Sequence, residues 1–181
     1  MPDAPDEHLL SALARTPTID ELIAREACRD AARRYSYGVD RLDPDTMKSA
    51  YWPDGVDEHG RYVGDAHGFC DICMTAHDRF VWTKHLIMNH RVEIDEGGVT
   101  ARGDCQNVSL LMRKDERVLD TWYGRYLDSY ECRNGEWRIL RRVCVHDGDT
   151  SVAVPDDMGT SADLYRQGTF DRPAAGRPIG P

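Results

Sequence analysis

The spacing of apolar positions changes character near residue 80. Before it, apolar and polar residues follow a helical period; after it they alternate along long strands. Thr18-Ile19-Asp20-Glu21 has the spacing of a capping box, in which a Thr side chain and a Glu three residues on satisfy each other's backbone N–H groups. Leu22, Ile23, Ala27, Ala31, Tyr35 and Tyr37 carry the predicted helix to about Val39. Asp43-Pro44 supplies a second start, Asp as the cap and Pro at the first helical position, for a short helix running to about Trp52, where Pro53 stops it. A brief strand over residues 55–60 and a helix over residues 65–80 follow.

Four segments, residues 83–94, 98–114, 117–133 and 136–147, are rich in Val, Leu, Ile, Thr, Tyr and Trp. Glu96-Gly97-Gly98, Lys114-Asp115-Glu116 and Asn134-Gly135 separate them, each a hairpin signal and the last the strongest. The expectation is an α+β fold in which three helices lie on one face of a strongly curved antiparallel sheet. Residues 1–17 read as an N-terminal arm, 18–149 as one domain, and 150–181, where Gly, Pro, Asp and Ser dominate, as an extended tail.

A chain of 181 residues is long enough to bury a core around a small-molecule cavity. Its net charge of −9 argues against nucleic acid, whose affinity rests on clustered Lys and Arg. No apolar run reaches the roughly 20 residues of a membrane helix, and the acidic N-terminus is unlike a secretory signal, so the cytoplasm is the expected location. The six cysteines read as buried thiols. His67-x2-Cys70-x2-Cys73-x3-His77 holds residue types that ligate zinc. On one helix, however, ten residues at about 1.5 Å each set the two histidines roughly 15 Å apart, so a stripe packed on the core is expected and no metal.

Three places carry candidate chemistry. Asp40 closes the first helix among aromatic and apolar neighbours, where the negative end of the helix dipole does nothing to stabilise it. It is either a surface aspartate or the partner of a group opposite. His85 lies in a strand whose alternation sends Thr83, His85, Ile87 and Asn89 to one face. It reads as a satisfied core histidine or as a base. Of the adjacent Arg141 and Arg142, one must point toward whatever the concave face encloses. Tyr51, Trp82, Trp122, Tyr123 and Tyr126 read first as core aromatics.

In combination these features resemble a family. Tyr35-x4-Asp40, then Trp52-Pro53-Asp54-Gly55-Val56 leading to His59-Gly60-x3-Gly64, then Thr83-x-His85-x3-Asn89, and finally Gly124-Arg125-Tyr126 with Asn134-Gly135-x-Trp137-Arg138-Ile139, are similar to SnoaL-like proteins of the nuclear transport factor 2-like superfamily. The likeness spans about residues 18–147. It implies a cone-shaped α+β barrel with a deep pocket, and it implies a His–Asp pair, here His85 and Asp40, that removes a proton while a leaving group departs. Tyr35 and Arg142 fall where members of the family carry a pocket tyrosine and arginine. A second histidine that some members bear on a later strand has no counterpart, since Asn107 or Ser109 stands there.

The chemistry is self-consistent. A neutral imidazole is a suitable base near pH 7, and a carboxylate on its other nitrogen fixes the tautomer. The expected activity is a cofactor-independent lyase, foremost a dehydratase, with a mostly apolar aromatic or polycyclic substrate. An isomerase, a retro-aldol C–C lyase that releases formaldehyde, or a non-catalytic small-molecule-binding protein are the alternatives. Tyr51, His59, Trp82, Asn89, Asn107, Trp122 and Tyr126 are the expected substrate contacts. A homo-oligomer, dimer or trimer, would pack through Leu86, Met88, Val92 and Ile94 on the outer face.

Overall fold

The computed structural model of the protein describes residues 16–155. Helix α1 (Ile19–Asp40) begins with the expected reciprocal cap: Glu21 N–H donates to Thr18 Oγ1 at 3.2 Å, and Thr18 N–H donates to Glu21 Oε2 at 2.8 Å. Helix α2 (Pro44–Lys48) is capped by Asp43, with Pro44 in its first turn. At Gly38 the two helices meet so closely that a β-carbon there would lie 2.4 Å from the Met47 amide nitrogen. The chain then enters strand β1 (Tyr51–His59), so Pro53 lies inside a strand and α2 ends four residues before Trp52. Strand β2 (Tyr62–Asp65) returns along β1, helix α3 (Ala66–Ala76) follows, and a 3-10 turn (His77–Arg79) leads into the long strands.

These are β3 (Phe80–Ile94), β4 (Thr100–Arg113), β5 (Val118–Arg133) and β6 (Glu136–Ala153), each antiparallel to the next. Asn134 and Gly135 close the last hairpin with φ of 54° and 83°, the left-handed pair that a tight two-residue turn requires. The six-stranded sheet runs β2-β1-β6-β5-β4-β3, and β1 joins β6 in parallel. That last pairing carries no local signature, because its partners lie some eighty residues apart in the chain. The meander also reaches Ala153, so the first residues of the expected tail belong to β6. Residues 156–181 of that tail, and the arm apart from Thr16 and Pro17, lie outside the described residues.

Register decides which side chains enter the bowl. Four single-residue bulges, at Val81, Asn89, Leu140 and Asp147, interrupt the long strands. Each one reverses the inward and outward alternation and bends its strand. Asn89, at φ 40°, is exposed and donates to Gln106 Oε1 at 3.0 Å, so it does not share the inward face of Thr83, His85 and Ile87. Beyond it the parity is inverted. Val92 joins the core and Ile94 packs against it, which leaves Leu86 and Met88 as the exposed residues of the expected outer patch. The bulge at Leu140 turns Arg142 inward and Arg141 outward, where it pairs with Glu58. Tyr123 is exposed, in contrast to the other core aromatics expected on β5.

The core forms where α1 and α3 cover the concave side of the sheet: Cys28, Ala31, Tyr35 and Val39 from α1, Phe69, Cys70 and Cys73 from α3, and Tyr126, Tyr130 and Ile139 from the sheet. All six cysteines are free thiols. Burial pushes those of Cys28, Cys70, Cys105 and Cys144 up to about 12, which makes them inert packing groups. Within this core sits a fully buried ion pair. Arg142 donates from Nε and Nη2 to the two oxygens of Asp128 at 2.7 Å each. The Arg142 guanidinium stacks on Tyr126 at 4.0 Å and on Tyr35 at 4.3 Å. Tyr130 completes the carboxylate's shell, donating to Asp128 Oδ2 at 2.8 Å.

Two stability predictions follow from this packing. Removing one partner of a buried pair strands the other charge, so Asp128→Ala is expected to cost about 3–5 kcal/mol in urea unfolding. The double replacement Asp128→Leu with Arg142→Met should recover most of that loss; equal stability of wild type and Asp128→Ala would refute the assignment. His90, whose Nε2 lies 3.3 Å from Tyr130 Oη, is pushed down to about 4 by burial, against the opposing pull of Asp128. A histidine that titrates near 6.5 when unfolded and near 4 when folded lends its stability fully above about pH 6.5 and loses it as the pH falls toward 4. Unfolding free energy should therefore decline over that window, and His90→Gln should flatten the decline; an unaltered slope would refute the role of His90.

Candidate active site

The last residue of α1 meets the inward face of β3. Asp40 accepts three hydrogen bonds: Thr83 Oγ1 at 2.7 Å, the His85 backbone N–H at 2.8 Å, and His85 Nδ1 at 2.7 Å. The sequence placed an anion at the wrong end of a helix dipole, and the structure shows what holds it there. Burial opposes the Asp40 charge, but the bonds from His85 and Thr83 outweigh it and keep the carboxyl below its ordinary range. A carboxylate at Nδ1 makes that nitrogen the proton carrier. Nε2 of His85 then presents its lone pair, has no hydrogen-bond partner among the described residues and is not sealed from its surroundings. The His85 side chain is only 8% exposed, so the imidazole sits largely out of water.

Cross-strand register extends the site. Ser109 lies opposite His85 and Asn107 opposite Ile87, and on the next strand Trp122 lies opposite Ser109. Asn107 donates from Nδ2 to Ser109 Oγ at 2.8 Å and to Tyr126 Oη at 3.1 Å. Trp122 stacks on Tyr126 with ring centres 6.5 Å apart. Tyr35, Tyr51 and Tyr126 pack edge to face through Tyr35, and burial holds all three phenols well above their ordinary range, hence protonated. The Tyr35 hydroxyl has no hydrogen-bond partner among the described residues and is not sealed from its surroundings. Of the six buried side-chain polar atoms without a hydrogen-bond partner among the described residues, two belong here, a donor at Arg142 Nη1 and an acceptor at Asn107 Oδ1.

On the β1 side, Tyr51 donates to Asp57 Oδ2 at 2.5 Å, and Asp57 Oδ1 lies 3.2 Å from His59 Nδ1. Asp57 faces Arg142 across the parallel β1–β6 pair. The His59 ring stacks on Phe69 at 4.6 Å and approaches Tyr126 at 6.3 Å, so it turns to the aromatic interior.

Asp40, His85, Tyr35, Arg142, Tyr51, His59, Asn107, Trp122 and Tyr126 thus share one connected interior. Two expected contacts do not join them: Asn89 is turned out by its bulge, and the register puts Trp82 on the face opposite Thr83 and His85. One residue was missed as a site residue. His77, just past α3, has its ring centre 6.0 Å from that of His85. Its only signal was membership of the His67–His77 pattern, which periodicity assigned to packing. Among the described residues no cluster of His, Cys, Asp and Glu is arranged to hold a metal ion, and no helix is long and apolar enough to cross a membrane.

Comparison with known proteins agrees with this architecture. No curated protein matches the chain. Among solved structures, a protein assigned as a scytalone dehydratase from Novosphingobium aromaticivorans superposes with a TM-score of 0.67 at 18% identity, over 75% of this chain and 92% of that one. The hexachlorocyclohexane dehydrochlorinase LinA-type3 of Novosphingobium barchaimii gives 0.68 at 20% identity, over 76% and 98%. A protein of unknown function from Mycobacterium tuberculosis gives 0.64 at 24% identity, over 74% and 78%. At these identities the likeness is one of fold. The SnoaL-like domain family matches residues 20–143, well over half of the chain, and the protein belongs to that family, with the cone-shaped α+β fold of the nuclear transport factor 2-like superfamily.

Proposed function

We propose that the protein is a cofactor-independent lyase, a dehydratase, in which His85 removes a proton from a mostly apolar, aromatic or polycyclic substrate and a hydroxyl departs as water. The observation that carries this reading is the 2.7 Å bond between Asp40 and His85 Nδ1 at the inner face of the sheet. It leaves Nε2 as a base of one defined tautomer, and the carboxylate stabilises the imidazolium that forms. A structural histidine needs no such partner on one nitrogen and an open lone pair on the other.

The steps balance without a cofactor. His85 Nε2 takes a proton from a carbon beside a carbonyl or an electron-poor ring, and the electron pair forms the new double bond as the C–O bond breaks. The leaving hydroxyl needs a proton, and the imidazolium holds the one just taken. A single imidazole can therefore serve both halves when proton and hydroxyl lie on the same side of the substrate. Negative charge that develops on a carbonyl oxygen meets the Tyr35 phenol, a neutral donor because burial keeps it protonated, with the positive charge of the buried Arg142 guanidinium stacked behind that ring. Arg142 is sandwiched between Tyr35 and Tyr126, so these rings set how near a substrate comes to its charge. Trp122, Tyr126 and Phe69 offer flat apolar surface suited to aromatic substrates. Dehydratase- and dehydrochlorinase-type relatives of the same fold support an elimination.

Screening hydroxylated aromatic and polycyclic ketones for loss of water by mass spectrometry tests the activity directly. On a substrate so found, His85→Ala and Asp40→Asn are each expected to lower kcat by about 100-fold or more, with an unchanged circular dichroism spectrum. Full turnover in His85→Ala would mean that another group is the base. Independently of substrate, 15N NMR of the imidazole should show the Nδ1–H tautomer of His85 in wild type and a mixture of tautomers in Asp40→Asn; the same tautomer population in both would refute the dyad.

A further inference from the structure

His77 sits beside the proposed base, and its hydrogen bonding restricts what it can do. Nδ1 lies 2.9 Å from the carbonyl oxygen of Cys73, one turn back on α3. A carbonyl only accepts, so Nδ1 carries the proton and Nε2 presents a lone pair. Among the described residues no donor meets that lone pair, and Nε2 is not one of the sealed polar atoms. The ring is held by contact with Phe80 at 5.6 Å and lies 6.0 Å from the His85 ring, inclined to it by 39°.

We propose that His77 is a specificity residue of the same site: its Nε2 accepts a hydrogen bond from a substrate hydroxyl lying next to the position that His85 attacks. The inference rests on the reading of His85 and Asp40 as the catalytic pair. It adds the class of substrate, one with a phenol or alcohol group on the side of the site nearest α3. A carbonyl, ether or carboxylate oxygen in that place would face a lone pair and find no donor. Burial, reinforced by the charge that His85 can carry, pushes His77 down to about 4. It is therefore an acceptor throughout the neutral range and does not become a competing acid.

The test uses two probes that differ in having a hydroxyl hydrogen or a methyl group on the same oxygen, 2-naphthol and 2-methoxynaphthalene, titrated into wild type and His77→Phe and followed by calorimetry and by 15N NMR of the imidazoles. Wild type is expected to bind 2-naphthol about tenfold more tightly than the ether, as one hydrogen bond to a desolvated acceptor provides. His77→Phe should bind the two alike. In wild type, 2-naphthol alone should shift the His77 Nε2 resonance, a readout that stands even if the Phe variant does not fold. Equal binding of the probes to wild type, no binding of either, or an undiminished preference in His77→Phe would overturn the proposal. If both probes shift His85 and neither shifts His77, the His77 assignment fails and the catalytic pair stands. The pair itself fails instead if His85→Ala keeps its turnover.

Discussion

Asp40 is a carboxylate where helix electrostatics offer it nothing, at the negative end of α1. Everything in the site depends on how β3 compensates for that position. The strand brings a hydroxyl, a backbone N–H and an imidazole N–H to the two carboxylate oxygens. Three donors from residues 83 and 85 hold the end of the helix against the sheet and settle the histidine's tautomer in the same contact. One set of bonds does both, because the contacts that stabilise a misplaced anion also fix the orientation of the His85 imidazole.

A second buried electrostatic unit organises the opposite part of the bowl. The Arg142–Asp128 pair lies wholly inside the protein, braced by Tyr130 below and by Tyr35 and Tyr126 on its faces. Burial works against the guanidinium's charge, yet the adjoining Asp128 carboxylate holds it well above its ordinary range. Buried pairs of this kind add little net stability, but they impose one register, since any slip of β6 by a residue would bury Arg141 in place of Arg142. The bulge at Leu140 is the backbone feature that makes the correct register possible. Positive charge inside, phenols kept neutral by burial, and the His85 imidazole on the inward face of β3 line the same interior.

Much of this is legible in the amino-acid sequence alone. The capping box at Thr18, the Asp43-Pro44 start and the Asn134-Gly135 turn are local signals, set by hydrogen bonds between residues two to four apart, and each appears where it was read. Period-2 alternation placed Thr83, His85 and Ile87 on one face and identified the four-strand meander. Asp40 and His85 were paired by family resemblance, and the contact between them is found at hydrogen-bond distance.

What the sequence could not decide depends on counts and distances that no local window contains. A bulge adds one residue to one strand, and nothing in the composition around Asn89 or Leu140 announces it; yet that single residue turned Asn89 outward, drew Val92 and Ile94 into the core and chose Arg142 over Arg141. The parallel pairing of β1 with β6 brought Asp57 beside Arg142 across more than eighty residues of chain. His77 came to lie by His85 only because a 3-10 turn folds the end of α3 onto the start of β3. Local hydrogen bonding and periodicity are written in neighbouring residues and so determined the elements and their order; the composition of the site was left to the tertiary structure, because it depends on strand register and on which distant surfaces bury each other.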